Sequence, residues 1–424
     1  MGVLELSEKV SSGGGAEGDK RTPSRVIFAI ATGLFALFLA TGEYALPYGT
    51  DTFTNAVQAR AFADDQSPFL EELESISQPE YQGTFHWLVD APDGPTAQYP
   101  PGTALWAAPF YLFDTSLQTI TVAVPEEIST GAETETFGVP GTLVPATVAA
   151  ALSVAIAMAF FGLTISPHLP SRATVVAMLA GALGTGAWSV AADKLWQHGP
   201  AMMWISIGTY FASRDRFALS GVAFAIGVAT RPHSAVIAAG IGLAVAISRR
   251  SLREVSALGA ISFLGVLALS AYNDFVFGEF TPLGGYRVSG FTGGGTNSPV
   301  LVAGRLVGAI VHTQVGILWT SPFIVVALIA VVMTARRHTP DWAIGAAIGG
   351  LLYLVVQFRS NRLTGGEGFF SYRYPLEALM AAGPMFAFAT WQWIKDSPLR
   401  HRLVRVTIVI SIVAHGVGAL LPTA

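Results

Sequence analysis

The sequence predicts an all-α, polytopic membrane protein of about eleven transmembrane helices, with a large external first loop that carries short amphipathic helices. Three observations carry that expectation. Hydrophobic residues make up 52% of the chain and charged residues only 12%, against about 25% charged in ordinary soluble domains. Apolar segments recur at lengths near the roughly 20 residues a helix needs to cross the hydrocarbon core. The basic residues alternate in a way that assigns each connection to one side of a membrane. The mean hydropathy of +0.52 and the 45 glycines agree, because glycine lets helices approach closely in lipid.

Residues 1–24, with "SSGGGAEGDK", read as a disordered cytoplasmic tail. That tail is too long and mixed for the start of a cleaved signal peptide, so the first apolar helix is expected to stay as an anchor. Residues 25–424 read as one integral membrane domain. Expected spans lie near 25–43, 141–165, 173–191, 199–213, 216–230, 234–248, 255–276, 314–335, 341–357, 374–392 and 403–420. Pro232 in "TRPHS" forbids one continuous helix across 216–248, which leaves either two tilted spans or a re-entrant pair.

With the tail inside, the inner connections are "SPHLPSR", "SRDR", "SRRSLRE", "ARRHTPD" and "KDSPLRHRLVR", all short and basic. The outer loops are then 43–140, 277–313 and 358–373, and loop 43–140 holds fifteen acids and one base, Arg60. This places the sequence complexity, and any active site, on the external face of the membrane. The short inner turns leave no room for a nucleotide-binding domain there. The absence of cysteine excludes disulfides, thiolate zinc sites and cysteine nucleophiles. A net charge of −4 gives no reason to propose nucleic acid as a partner. Histidines 86, 198, 233 and 312 lack metal-ligand spacing, so no metal is assigned, and a divalent cation is left open.

Several polar residues fall where outer loops meet apolar segments. Asp51 follows the first span, and "DTFTNAVQARAF" reads as a short interfacial helix with Phe53, Val57, Ala61 and Phe62 on its apolar side. Asp51 is therefore either an N-cap or a carboxylate general base at the membrane surface. In "AQYPPGTALWAAPFYLF", Tyr99, Trp106 and Tyr111 suit an interfacial, structural position. "WSVAADKLWQHGPAMMW" places Lys194 and His198 between two spans, either as part of an interfacial belt or beside an anionic ligand. Arg231, Arg287, Arg305, Arg359, Arg362 and Arg373 are the further outer cations, each able to meet a phosphate or to pair with an acid.

In this order the segments resemble those of the bacterial and archaeal polyprenyl-phosphate-dependent glycosyltransferases of the GT-C superfamily, which include protein O-mannosyltransferases and lipid A aminoarabinose transferases. The pieces that carry the resemblance are "DTFTNAVQARAF", "YPPGTALWAAPFY", "LWQHGPAMMW", "AYNDFVFGEFTPLGGY", "GILWTSPFIVVAL" and "GGEGFFSYRYPLEAL". The resemblance implies a donor sugar on a polyprenyl or dolichyl phosphate and an acceptor hydroxyl on a glycan, glycolipid or protein. It implies Asp51 as base, with inversion at the anomeric carbon, and Arg373 as the late basic residue that holds phosphate. Lys194, His198 and Arg231 would assist, and Glu43, Tyr99 and Tyr286 are possible substrate contacts. Two features depart from the pattern. Asp51 is followed by Thr52 rather than by a second acid. Many members also end in a folded external domain, whereas residue 424 follows a last span, so acceptor recognition is expected from the three outer loops. The alternatives are a lipid or sugar transporter or flippase, which would favour broken midplane helices in paired repeats, and a structural membrane subunit.

Overall fold

The computed structural model describes residues 21–44, 51–71, 73, 87–114, 117–123, 134–140, 142–290, 295–334, 339–364 and 369–420. The expected tail through residue 20, His86, and the glycine-rich stretches 291–294 and 365–368 lie outside the described residues.

The first helix, α1 (Ser24–Thr41), buries Ile27, Ala31, Leu34 and Phe38. Their spacing of three and four residues makes one stripe on a helix, and that stripe packs on α4 (Val144–Ile165). Sixteen of the 22 residues of α4 are buried, many of them alanine, so it forms the central post. Around it stand α5 (Ser171–Leu183), α6 (His198–Ala212) and α15 (Leu376–Ile394). The remaining apolar helices are α7 (Phe217–Thr230), α8 (Ser234–Arg249), α9 (Arg253–Phe277), α11 (Pro299–Val311), α13 (Pro322–Thr334), α14 (Asp341–Ser360) and α16 (Pro398–Leu420). Exposed Phe263, Leu264 and Leu267 on α9, and Val406, Val409, Ile410 and Val413 on α16, form apolar faces that suit lipid rather than water.

Helices overlie all eleven expected spans, but among the described residues only five are long and apolar enough to cross alone: α1, α4, α14, α16 and residues 255–277 of α9. The expected span 173–191 divides into α5 and a π-helical turn at Ala187–Ala191. The span 314–335 divides into the single turn α12 (Ile317–Thr320) and α13, with Ser321 between them. At 1.5 Å per residue, a 13-residue helix such as α5 or α13 is about 20 Å long, short of the roughly 30 Å core.

The expected all-α reading also needs correction in the first outer loop. Besides α2 (Asp51–Asp64) and α3 (Gly102–Tyr111), that loop contains two antiparallel hairpins. Strands β1 (Leu88–Ala91) and β2 (Gly94–Ala97) pair from Leu88↔Ala97 to Ala91↔Gly94. Strands β3 (Leu117–Ala123) and β4 (Thr134–Pro140) pair from Leu117↔Pro140 to Ala123↔Thr134. Threonine and β-branched residues are frequent in these segments, which favours a pleated surface.

Nor is α2 an interfacial helix. Every residue from Thr52 to Ala59 is buried. Phe53 and Val57 pack with Leu70, Leu73, Trp87, Leu88 and Tyr99, while Ala56 and Ala59 pack against Ala104, Ala107 and Tyr111 of α3 and Ala146, Ala149 and Ala150 of α4. Trp106 donates to the carbonyl of Ala149 at 2.9 Å, and Tyr111 is 1% exposed, so this aromatic pair faces protein rather than the lipid interface.

The connections sort into two groups. Arg249 bonds Asp215 at 2.8 Å and Asp341 at 3.1 Å, and the ring of His168 lies 6.3 Å from that of Trp342. These contacts join four of the five inner turns expected from the sequence. The break at Arg231–His233 separates α7 from α8 as Pro232 requires.

The pair α8 and α14 is held by backbone contact. A Cβ on Gly345 would lie 2.6 Å from the carbonyl oxygen of Gly240, and one on Gly349 would lie 2.7 Å from the Cα of Ile237. Small residues four apart thus form the seam, as between membrane helices generally. Gly345→Val should lower the thermal midpoint of the purified protein by the equivalent of about 1–3 kcal/mol of overpacking. Gly259→Ala on α9, where a Cβ meets nothing within 4 Å, should leave it unchanged. Sidedness has its own test in this cysteine-free chain. In intact cells an impermeant maleimide should label Asp93→Cys and spare Leu252→Cys, both at exposed positions; equal labelling would overturn the assigned sides.

Candidate active site

Each outer connection expected from the sequence delivers a residue to one part-buried cluster. Asp51 is the first residue of α2. Its Oδ1 accepts the Tyr99 hydroxyl at 2.6 Å, and its Oδ2 accepts Nη1 of Arg373 at 2.9 Å. The sequence separation across that ion pair is 322 residues. Arg373 lies in the turn before α15, where its guanidinium is framed by the rings of Trp196, Tyr374 and Phe369 at 4.6, 5.1 and 5.3 Å. Cation–π contacts of this kind strengthen when water is excluded, and the Arg373 side chain is only 11% exposed. Its Nε is buried with no hydrogen-bond partner.

The hairpin β1–β2 leads directly into Tyr99, and a tight approach completes that side. Gly285, in the one-and-a-half-turn helix α10 (Gly284–Val288), sits so close to the carbonyl of Gln98 that no side chain fits there. The approach brings the ring of Tyr286 to 6.0 Å from that of Tyr99, edge to face. Burial, together with the Asp51 charge, pushes the Tyr99 phenol well above its ordinary value, and burial pushes Tyr286 up to about 12. Both remain hydroxyl donors across the physiological range.

One helical turn beyond Arg373 lies Glu377, which is fully buried. Arg373 stands in the turn that leads into α15 and Glu377 in its first helical turn, so the two charges sit in tiers. Glu377 Oε1 accepts Nδ1–H of His198 at 2.8 Å and lies 3.3 Å from Nη1 of Arg231. Nη2 of Arg231 donates to Gln357 Oε1 at 2.9 Å. An isolated buried carboxylate would be very costly, and this one is matched by Arg231. Glu377 Oε2, Gln357 Nε2 and the Tyr353 hydroxyl are buried without hydrogen-bond partners. The seam between α8 and α14 sets this tier, since Arg231 precedes α8 by three residues and Gln357 lies on α14.

Of the residues singled out from sequence, Asp51, Arg373, Tyr99 and Tyr286 are therefore brought together, with His198 and Arg231 in the tier beneath. Lys194 pairs instead with Glu43 at 2.5 Å. The backbone N–H of Glu43 donates to the Asp193 carbonyl at 3.1 Å, and Thr147 donates to the Glu43 carbonyl at 2.8 Å. This arrangement ties the end of α1 to the start of α4. Three further outer arginines have structural contacts: Arg287 pairs with Glu279 at 3.1 Å, Arg305 holds the carbonyls of Phe358 and Asn361, and Arg359 bonds Asn297. Sequence reasoning missed Glu377, Gln357 and the clamp made by Trp196 and Tyr374. The available signal was the i, i+4 spacing of Arg373 and Glu377 within "SYRYPLEAL". No group of three or more metal-ligating side chains occurs among the described residues.

Two solved structures align with nearly the whole chain. One is ArnT from Cupriavidus metallidurans bound to undecaprenyl phosphate (TM-score 0.51, 13% identity, 93% of this chain and 75% of that one). The other is the archaeal oligosaccharyltransferase AglB from Archaeoglobus fulgidus, in complex with an inhibitory peptide and a dolichol-phosphate (TM-score 0.54, 10% identity, 95% of this chain). The chain shares their fold. It spans 56% of the length of AglB. No family model and no curated protein matches the sequence. At this level of identity the likeness is one of architecture, which is the architecture the sequence resemblance implied.

The Asp193 carboxyl, in the connection before α6, is lifted by burial to about 7; Lys194 opposes the shift and Glu43 adds to it. A carboxyl whose folded value lies above its unfolded value of 3.8 holds its proton more tightly in the fold. Its contribution to stability therefore falls as pH rises from about 4 to about 7. Asp193→Asn removes that dependence. In thermal melts of the purified protein, the advantage of the variant over the parent should widen from pH 5 to pH 7.5; a constant difference would show that Asp193 is ordinarily solvated.

Proposed function

We propose that the chain is an integral membrane glycosyltransferase that moves a sugar from a polyprenyl-phosphate donor to an acceptor hydroxyl at the external face, with Asp51 as general base and inversion at the anomeric carbon. The observation that carries this reading is the Asp51–Arg373 pair, a carboxylate and a guanidinium 2.9 Å apart inside an aromatic frame. The lipid phosphates held in ArnT and AglB support the donor class. The peptide in AglB leaves the acceptor open between protein and glycan.

The chemistry follows from how the two charges are shared. Without donor, Asp51 and Arg373 neutralise each other, and the carboxylate is a weak base. A donor phosphate competes for the guanidinium, which forms bidentate, charge-assisted bonds to phosphate oxygens. Asp51, still oriented by the Tyr99 hydroxyl, then turns to the acceptor. As the acceptor oxygen attacks the anomeric carbon, its proton passes to Asp51, and the bonding pair of the carbon–oxygen bond leaves with the phosphate. Arg373 stabilises the charge that develops there. Lys194 is held by Glu43 and Arg231 by Glu377 in the tier beneath, so they and His198 assist at the phosphate less than Arg373, which pairs with the base itself.

The test uses purified protein in lipid nanodiscs with a radiolabelled polyprenyl-phosphate sugar, following release of the carrier phosphate. Asp51→Asn should lower turnover roughly 10²-fold or more, the scale of a lost general base, while donor binding holds or tightens because a competitor for Arg373 is gone. Arg373→Ala should weaken donor binding roughly 10- to 150-fold, the equivalent of 1.5–3 kcal/mol for hydrogen bonds to a charged group. Arg216→Ala, exposed in an inner turn, should not change it. Near-normal turnover in Asp51→Asn would return that residue to a structural role at the start of α2.

A further inference from the structure

A second buried polar chain sits directly behind Arg373. His415 on α16 is completely buried and bonded through both ring nitrogens. Nδ1 lies 2.8 Å from the Ser189 hydroxyl, and Nε2 lies 2.8 Å from the Ser321 hydroxyl. Ser321 is also 2.8 Å from the Tyr372 hydroxyl and donates its own proton to the carbonyl of Gly184 at 2.8 Å. That last bond fixes the direction of the others. A carbonyl only accepts, so Ser321 has spent its hydrogen and must accept from both Tyr372 O–H and His415 Nε2–H. His415 therefore donates from Nε2, and its Nδ1 is paired with the Ser189 hydroxyl.

Both ring nitrogens of His415 and the hydroxyl hydrogen of Ser321 are thus engaged within the protein. Four separated segments meet at this one imidazole: the π-helical turn, Ser321 between α12 and α13, α16, and the turn that carries Arg373. Tyr372 precedes Arg373 directly. Ser371 before it adopts a left-handed φ of +77°, a conformation that a non-glycine residue keeps only where its surroundings impose it. Here they do. Ser371 Oγ accepts the N–H of Tyr372 at 2.5 Å and donates to Thr320 Oγ1 at 3.2 Å. The rings of Phe370 and Tyr372 pack on His415 at 5.7 and 5.9 Å.

We infer that His415 is a positioning residue for Arg373: through Ser321 and Tyr372 it holds the strained Ser371–Arg373 turn so that the guanidinium faces Asp51. The inference rests on the proposed phosphate role of Arg373. A polar chain hydrogen-bonded from end to end in an otherwise apolar interior is rigid once assembled, which suits an anchor.

The test is a double-mutant cycle read by equilibrium binding of undecaprenyl phosphate to the protein in nanodiscs. His415→Leu, which removes both bonds, should weaken binding on the order of 10-fold. The double variant with Arg373→Ala should bind no more weakly than Arg373→Ala alone, because the anchor acts only through that side chain. His415→Gln places an amide donor near Ser321 and should recover most of the lost affinity. If His415→Leu does not fold, Tyr372→Phe interrupts the same chain by one hydroxyl and takes its place in the cycle. Penalties that add, or unchanged binding in both single variants of the anchor, would overturn the positioning role while leaving the phosphate reading in place. Unchanged binding in Arg373→Ala would overturn both.

Discussion

The ion pair between Asp51 and Arg373 is the contact on which the architecture converges. Its partners come from distant parts of the chain, 322 residues apart, and with 25% of the Asp51 and 11% of the Arg373 side chain exposed, each charge is partly withdrawn from water and costly without the other. A buried pair needs good geometry and further hydrogen bonds to offset the loss of water. Tyr99 supplies one to the carboxylate, and three aromatic rings supply the face-on contacts to the guanidinium. In the proposed reaction, the Asp51 carboxylate is held by the same cation that a donor phosphate would claim. Such an arrangement links donor occupancy to basicity without a moving domain.

The rest of the molecule is a means of holding that pair still. Central α4 is lined with alanines, so α1, α5, α6 and α15 lie close around it. The glycine seam between α8 and α14 brings Arg231 and Gln357 into register beneath Arg373. Glu377, four residues along, carries the charge that lets Arg231 be buried. On the far side of the turn, the chain from Ser189 through His415 and Ser321 to Tyr372 anchors the backbone. Two polar layers, one charged and one neutral, thus grip a single three-residue turn from two directions.

Sidedness emerges from packing in the same way. Arg249, Asp215 and Asp341 come together in one group, and Asp51, Tyr99, Trp196, Arg231, Tyr286 and Arg373 in another. Residues of alternate connections segregate as a chain crossing back and forth requires, although six of the eleven expected segments hold helices that are short, interrupted or less apolar. In the turns between these helices, backbone polar groups find protein partners.

The sequence by itself determined the membrane character, the order of the apolar segments and the alternation of basic turns, because these follow from hydrophobicity and charge, which are local. It also determined Asp51 and Arg373 as candidates, through their placement beside spans and through a family resemblance. It did not determine that the two would meet, nor that Lys194 would be taken by Glu43, since pairing between residues far apart depends on helix packing. Glu377 and His415 were invisible as partners for the same reason: each lies within an apolar run, and only the fold supplies the opposite charge or hydroxyl that makes its burial possible. The amphipathic reading of "DTFTNAVQARAF" failed because a polar face implies water only where nothing else is packed against it. Here α3, α4 and the β1–β2 hairpin enclose the segment, and Asn55 finds the carbonyl of Leu195 at 2.9 Å. Local chemistry set which residues were available, and tertiary packing decided which of them face one another.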